Sequence, residues 1–390
     1  MPYEHRSVVW SVLKEITGDP EPTPEYETRY GGSNMDPVTL SINTTRGEAM
    51  HAVVRYALWV QRHILDKPDG EERIARGLAE MPEVKSVLDD HLDPGRDPSV
   101  AVRAVYGQWF PWLVLLDKGW ASQTTPRIFP EEESLCDLWN AAWDTYVAYC
   151  KAYDNVFPLL RGEYRRAIER IGSSRPRTWG LGDPDERLAG HLMTLCWRGR
   201  LELDDPKGLL ARFFEKASDP LRGRAFASVG RALHATEKIP PEIIARLQEL
   251  WRRRLDIDRA AESRASHTEE LSAFGWWFIS RKFDDCWAMT QLREALELSG
   301  WAEPDHLVVE RLAELAIGMP FLAVRCLTLM AESGRPGWYF GGWRQAPRTI
   351  LAAAINSSDE AAREASIDEI HRLGARGYLG FRDLLPRGGG

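Results

Sequence analysis

The stretch TRGEAMHAVVRYALWVQRHILD, Thr45–Asp66, decides the fold class. Met50, Val53, Val54, Ala57, Leu58, Ile64 and Leu65 recur at i, i+3, i+4 and i+7, the spacing that puts apolar side chains on one face of an α-helix. Thr45-Arg46-Gly47-Glu48 at its start has the form of a capping box, with the Thr45 hydroxyl expected to accept from the Glu48 amide. The same period continues along the chain. It predicts helices near 99–117, 131–154, 157–171, 185–198, 206–217, 220–234, 241–254, 267–280, 284–299, 305–317, 320–332, 346–355 and 359–374. Seven Asp-Pro pairs, at Asp19, Asp36, Asp93, Asp97, Asp183, Asp205 and Asp219, read as helix starts in which Asp caps and Pro occupies the first turn. The best strand candidate, Val38-Thr39-Leu40-Ser41-Ile42, is short, and no sheet is expected.

Connections of two to ten residues between helices of eleven to twenty, read off these spans, predict antiparallel helical hairpins. The expected fold is therefore all-α, with stacked hairpins forming a degenerate HEAT-like α-solenoid in one array or two lobes. The Gly-, Ser- and Pro-rich stretch from Gly172 to Pro184 marks the expected boundary. It gives an N-terminal lobe over 1–172, with an irregular loop at 19–44, a C-terminal helical-repeat lobe over 185–384, and a disordered tail at 385–390.

With 390 residues, 44% hydrophobic and 28% charged, the chain has the composition of a globular protein. Its apolar runs, such as Tyr56–Val60 and Trp112–Leu116, fall well short of the ~20 residues that span a bilayer. The first residues, Met1 to Arg6, lack the form of a secretory signal, so a cytoplasmic location with no membrane partner is expected. The five cysteines show no metal-ligand spacing and read as reduced core thiols. No phosphate loop, H-E-x-x-H or G-x-S-x-G motif occurs, and Gly180-Leu181-Gly182 runs into Asp-Pro-Asp, which repels a pyrophosphate. The sequence thus offers catalysis no seat and implies neither cofactor nor metal. A net charge of −8 argues against a protein that coats nucleic acid non-specifically.

Binding residues are better marked. Arg46 lies one turn before Met50 on the apolar stripe, where it either caps carbonyls or pairs with a carboxylate at a hairpin junction, or faces a ligand. In Phe274-Gly275-Trp276-Trp277-Phe278, followed by Arg281, Trp276 and Arg281 are candidate contacts, while Leu271, Phe274 and Phe278 share a core face. Arg161, Arg165, Arg166 and Arg170, with Arg175 and Arg177, form the densest basic patch, diluted by Glu163 and Glu169. That Arg161–Arg177 patch is where an anionic or nucleic-acid partner would bind, with Trp251-Arg252-Arg253-Arg254 a weaker second site.

Three segments carry a resemblance: Ser41 to Met50, Glu270 to Trp277, and the final run through Ile350, Ala365, Ile370, Leu373 and Gly377-Tyr-Leu-Gly-Phe381. Together they resemble the C-terminal helical regions of large prokaryotic P-loop ATPases of the STAND type and related phage-defence proteins. The resemblance implies a sensor array that grips a foreign protein while an ATPase or effector domain answers. The expected function is non-enzymatic protein or peptide recognition, or a scaffold, in anti-phage defence. The alternative is a nucleic-acid-binding repeat protein of the HEAT-like DNA glycosylase type, and a purely structural subunit is a third class.

Overall fold

The Asp-Pro pairs show how the chain is punctuated. In the computed structural model, which describes residues 2–31, 35–173, 181–260, 267–332 and 345–386, six of the seven aspartates accept a hydrogen bond from the amide two residues on: Asp19 from Glu21, Asp36 from Val38, Asp93 from Gly95, Asp97 from Ser99, Asp183 from Asp185 and Asp205 from Lys207. This is the Asx turn, a side-chain imitation of a backbone turn, but only Asp36 and Asp183 stand directly before a helix that begins at the Pro; the helices Pro24–Tyr30, Val100–Leu116 and Leu209–Lys216 take Thr23, Ser99 and Gly208 as N-caps instead. Asp219 instead lies inside a helix and accepts the amides of Glu269 and Glu270 at 2.8 and 2.9 Å.

Described residues are all-helical, without a strand. The chain divides into two compact units, Met1–Leu192 and Met193–Gly390. The division falls within a helix, Pro184–Trp197, rather than in the Gly- and Ser-rich stretch before it, of which residues 174–180 lie outside the described residues.

The first unit contains α1 (Arg6–Thr17), α2 (Pro24–Tyr30), α3 (Pro37–Ile42), α4 (Thr45–Leu65), α5 (Gly70–Ile74), α6 (Pro82–Asp90), α7 (Val100–Leu116), α8 (Lys118–Ile128), α9 (Cys136–Tyr149), α10 (Phe157–Glu169) and the start of α11 (Pro184–Trp197). The strand candidate is α3. Pro37 fixes its first turn and the Asp36 carboxylate takes the Val38 and Thr39 amides, so capping overrides β-branched propensity. The expected capping box is absent. Thr44, not Thr45, is the N-cap of α4, and its hydroxyl donates 2.9 Å back to Leu40 O in α3, while Glu48 faces Arg55 at 3.6 Å. The loop expected at 19–44 thus contains two short helices, α2 and α3. Helices α1, α6 and α8 also lie where no helix is expected. In α8 Pro126 falls in the last turn, where it removes the bond its amide would give to Ser122 O.

Helix α7 is the hub, packed by α3, α4, α8 and α9. Its start is held by α2: the Glu27 carboxylate accepts from Ser99 Oγ at 2.5 Å and from the Val100 and Ala101 amides, placing a negative charge on the helix N-terminus. Its middle touches α9 at Gly107, where an added Cβ would overlap the Ala142 carbonyl. Gly107→Ala is therefore expected to force the two helices apart and to cost about 1–3 kcal/mol, read as a lower denaturation midpoint at unchanged slope.

The second unit contains α12 (Leu209–Lys216), α13 (Asp219–Ala235), α14 (Pro241–Ala260), α15 (Thr268–Ser272), α16 (Phe274–Ile279), α17 (Asp285–Ser299), α18 (Asp305–Leu315), α19 (Pro320–Glu332), α20 (Gln345–Ile355) and α21 (Glu360–Ala375). Helices α15, α17, α19 and α21 pack each on the next in that series, α16, α18 and α20 likewise, and chain neighbours also pack, α15 on α16, α16 on α17, α18 on α19, α19 on α20 and α20 on α21. The helix expected over 267–280 is broken at Ala273, because Glu303 N donates 2.9 Å to Ser272 O and its carbonyl presses on Gly275. Four aromatic rings form the core here: Trp251 stacks on Phe274 at 4.5 Å, and Trp277 and Phe226 close the cluster at 5.4 Å. Cysteines 196 and 326 are buried and 136 and 150 half-buried, but Cys286 is exposed in the first turn of α17, outside any core.

Candidate functional site

Arg46, a ligand-facing candidate in the sequence, is an internal staple. Its guanidinium donates to the carbonyls of Asp19 and Pro22 at 2.8 Å each and lies 3.2 Å from both Asp97 oxygens. Asp97 in turn holds His91 Nδ1 at 2.6 Å. The stripe tolerates Arg46 because two carbonyls and a carboxylate receive its guanidinium, while the neighbouring Gly47 lies tight against Ser41 of α3.

The basic patch splits in two. Arg166 turns inward, donating to the Pro130 carbonyl and lying over the Trp139 ring at 4.6 Å, and Arg170 covers the same indole at 5.4 Å while donating to Cys136 Sγ. Glu163 is drawn inside by Trp139 Nε1, 2.7 Å from its carboxylate, and burial raises its pKa. Arg161 and Arg165 stay exposed, Arg161 beside the Phe157 ring. Arg175 and Arg177 lie outside the described residues. The second basic run is also internally spent: Arg252 and Arg253 pair with Glu249, and Arg254 is buried. In the aromatic cluster Phe274, Trp277 and Phe278 are core, and Trp277 Nε1 donates to Phe226 O. Trp276 is half-buried under Arg231 at 5.3 Å, and Arg281, at a φ of 59°, pairs with Glu314. The structure places Arg46, Arg161, Arg165 and Arg166 in the first unit and Trp276 and Arg281 in the second.

Two buried histidines have the outline of catalytic relays, and their hydrogen bonds decide otherwise. His51 Nε2 is 2.9 Å from Ser41 Oγ, the spacing of a Ser-His pair. Yet Trp109 Nε1, which can only donate, points at His51 Nδ1 from 2.7 Å. Nδ1 is therefore the acceptor, Nε2 carries the proton toward Ser41, and Ser41 donates to Val38 O. A ring nitrogen that already holds a proton cannot remove one from the serine. His191 behaves alike: Nε2 faces the Cys150 carbonyl at 2.9 Å and so bears the proton, while Nδ1 accepts from Tyr164. Burial pushes both pKa values down to about 4, with Arg55 and Arg187 adding repulsion. Both rings are neutral structural connectors.

The sequence also did not reveal a buried ionic cluster in the second unit. Glu270, wholly buried, lies 2.7 Å from Arg222 Nε and accepts from Arg254 at 2.5 and 3.0 Å. Asp258, bonded to His267, is also buried. Arg222, Arg254 and Glu270 are separated by 16 residues or more in the chain, so no local pattern marks them. Among the described residues, no three His, Cys, Asp or Glu side chains gather to hold a metal ion, and no helix is long and apolar enough to cross a membrane.

The surface feature that stands out is apolar. Leu65, Trp112, Leu115, Tyr149 and Tyr153 are between 41% and 55% exposed, unusually open for such bulky side chains. They converge on one region of the first unit. Trp109 meets His51, and Gln61 Nε2 reaches Leu115 O at 3.5 Å, so α4 and α7 run in the same direction with Leu58 and Leu65 beside Trp112 and Leu115. Cys150 Sγ lies 3.3 Å from Gln108 O, which sets the end of α9, with Tyr149 and Tyr153, at the other flank of α7. Arg55 covers the Trp109 ring at 5.8 Å. Trp, Tyr and Arg, the side chains enriched at binding hot spots, thus stand exposed or half-exposed along both flanks of α7, beside open leucines. One sequence signal existed: apart from Arg103 and Gln108, the 17 residues of α7 are apolar, glycine or proline, more than one buried stripe requires. Comparison with protein-family models, curated proteins and solved structures finds no match to this chain.

Proposed function

We propose that the chain is a non-enzymatic recognition module that grips a partner protein or peptide, built from hairpins stacked as a degenerate HEAT-like solenoid and working in prokaryotic defence like the STAND-type sensors it resembles. The observation that carries the reading is the exposed Leu65–Trp112–Leu115–Tyr149–Tyr153 surface. Side chains of this size are removed from water wherever packing permits, and a monomer that leaves five of them together gains from a partner that covers them. The solenoid is supported by the packing of α15 to α21, where each helix packs on the helix two places along and, except between α17 and α18, on its chain neighbour, the arrangement that stacked hairpins generate.

A second reading, nucleic-acid binding, draws on Arg161 and Arg165, which are exposed on successive turns of α10. One experiment separates the two. The tagged chain, a Trp112→Glu/Leu115→Glu variant and an Arg161→Glu/Arg165→Glu variant are used to capture partners from bacterial lysate with and without nuclease. Under the recognition reading a protein partner survives nuclease and falls by about tenfold or more with the apolar-surface variant, because two hot-spot anchors are worth more than 1.4 kcal/mol together. A partner held equally by that variant refutes the assignment of this surface. Capture that vanishes with nuclease and with the arginine variant transfers the function to α10.

A further inference from the structure

The charges around the apolar surface define what covers it. Arg62 projects from α4 between Leu58 and Leu65, Lys118 follows the end of α7, and Lys151 stands between Tyr149 and Tyr153. All three are exposed, and none has a carboxylate within ion-pair distance among the described residues. Arg55, at the other end, has Glu48 at 3.6 Å and lies over the Trp109 ring. On the opposing side Asp66 is the one exposed carboxylate next to Leu65, since Asp117 is occupied by the amides of Leu78 and Trp120. The whole chain carries a net charge of −8. A cationic rim on an acidic protein is not a product of composition.

The shape of the surface is also informative. Helices α4 and α7 lie parallel, with Leu58 and Leu65 on one ridge and Trp112 and Leu115 on the other, and the Arg55-to-Leu65 span is about 15 Å at 1.5 Å per residue. That length matches about three turns of a helix laid in the furrow, whose i, i+3 or i+4, and i+7 side chains would fill it. No strand edge is open among the described residues to receive an extended peptide.

We propose that the furrow between α4 and α7 binds an acidic amphipathic helix of a partner protein, its apolar face on Leu58, Leu65, Trp112 and Leu115 and its carboxylates toward Arg55, Arg62 and Lys118. This rests on the recognition reading above and names the chemistry of the partner. Apolar contact supplies the affinity, and the cationic rim selects by rejecting helices with a basic polar face.

The test uses two labelled peptides of about 18 residues, long enough to form a helix on binding, with the same leucine and phenylalanine face and a polar face of either glutamate or lysine. Binding to the full chain is followed by fluorescence anisotropy at low and high salt. The glutamate peptide is expected to bind about tenfold or more tightly at low salt, with the gap closing as salt rises. Trp112→Glu/Leu115→Glu should abolish binding, and Arg62→Glu/Lys118→Glu, which alters only exposed side chains, should reverse the preference. Equal or tighter binding of the lysine peptide, or a preference untouched by the charge-reversal variant, overturns the proposal. So does absence of glutamate-peptide binding, a wild-type dimer in light scattering that Trp112→Glu/Leu115→Glu converts to monomer, or variant-sensitive binding to phosphatidylserine vesicles with no peptide binding. Should the lysate partner depend on Trp112 while the peptides show no charge preference, recognition stands and this partner chemistry falls.

Discussion

Glu270→Ala is expected to destabilise the second unit by about 3–5 kcal/mol, the cost of breaking a buried ion pair from one side. Glu270 is wholly buried and is the carboxylate that both Arg222 and Arg254 approach most closely, at 2.7 and 2.5 Å. With it gone, Arg222 keeps the Ala217 and Phe214 carbonyls and a 3.8 Å contact with Asp219, and Arg254 keeps the face of Phe214 at 4.2 Å. The Phe214 ring does not neutralise the Arg254 guanidinium, and neither arginine can shed its proton to escape. The loss is read by denaturant unfolding followed through Trp251 and Trp277, which lie in the aromatic core of the same unit. Replacing the whole triad by apolar residues of similar volume, Arg222→Met with Arg254→Met and Glu270→Leu, should restore most of the lost stability, because the desolvation of the charges disappears together with their attraction. A loss below about 1 kcal/mol for Glu270→Ala would mean that water reaches the cluster.

That triad marks the limit of what a sequence exposes. Period and capping are local, and they located most of the helices from α4 onward, along with the core face of Leu271, Phe274 and Phe278. The distribution of a guanidinium between solvent and interior is not local. Arg165 and Arg166 are chain neighbours on one helix, yet one stays in water and the other covers Trp139, because only Arg166 faces the Pro130 carbonyl and that indole. Arg46 was readable as a junction residue or a ligand contact, and Asp97, 51 positions away, decides its place. The apolar surface was hidden for a similar reason. Trp112 and Leu115 belong to an almost wholly apolar helix, which reads as buried on every side, and their exposure depends on which neighbours α7 lacks.

The acid response of the first unit should likewise be set by two residues the sequence left unmarked. His51 and His191 are both held neutral, with pKa values near about 4 against an ordinary 6.5. As pH falls below the ordinary value the unfolded chain takes up protons that the folded chain refuses, so the stability these sites contribute is complete above pH ~6.5 and is lost on descending toward about 4. Each shift corresponds to roughly 3 kcal/mol at the bottom of that window. Midway through it, where each unfolded ring is mostly protonated and each folded ring is not, stability should fall by nearly 2.7 kcal/mol per pH unit for two protons, or about half that for one. His51 is the stiffer of the two. Its Nδ1 faces the indole N–H of Trp109, which has no lone pair to offer a new proton, whereas the Tyr164 hydroxyl at His191 can rotate and accept. His51→Gln, which supplies one donor and one acceptor without titrating, is therefore expected to halve the slope of stability against pH over this window, measured by urea unfolding at a series of pH values. An unchanged slope would place the linked proton elsewhere. If the slope is halved but the midpoint at neutral pH barely moves, the imidazole is replaceable as a connector between Ser41 and Trp109, as a structural role and not a catalytic one requires.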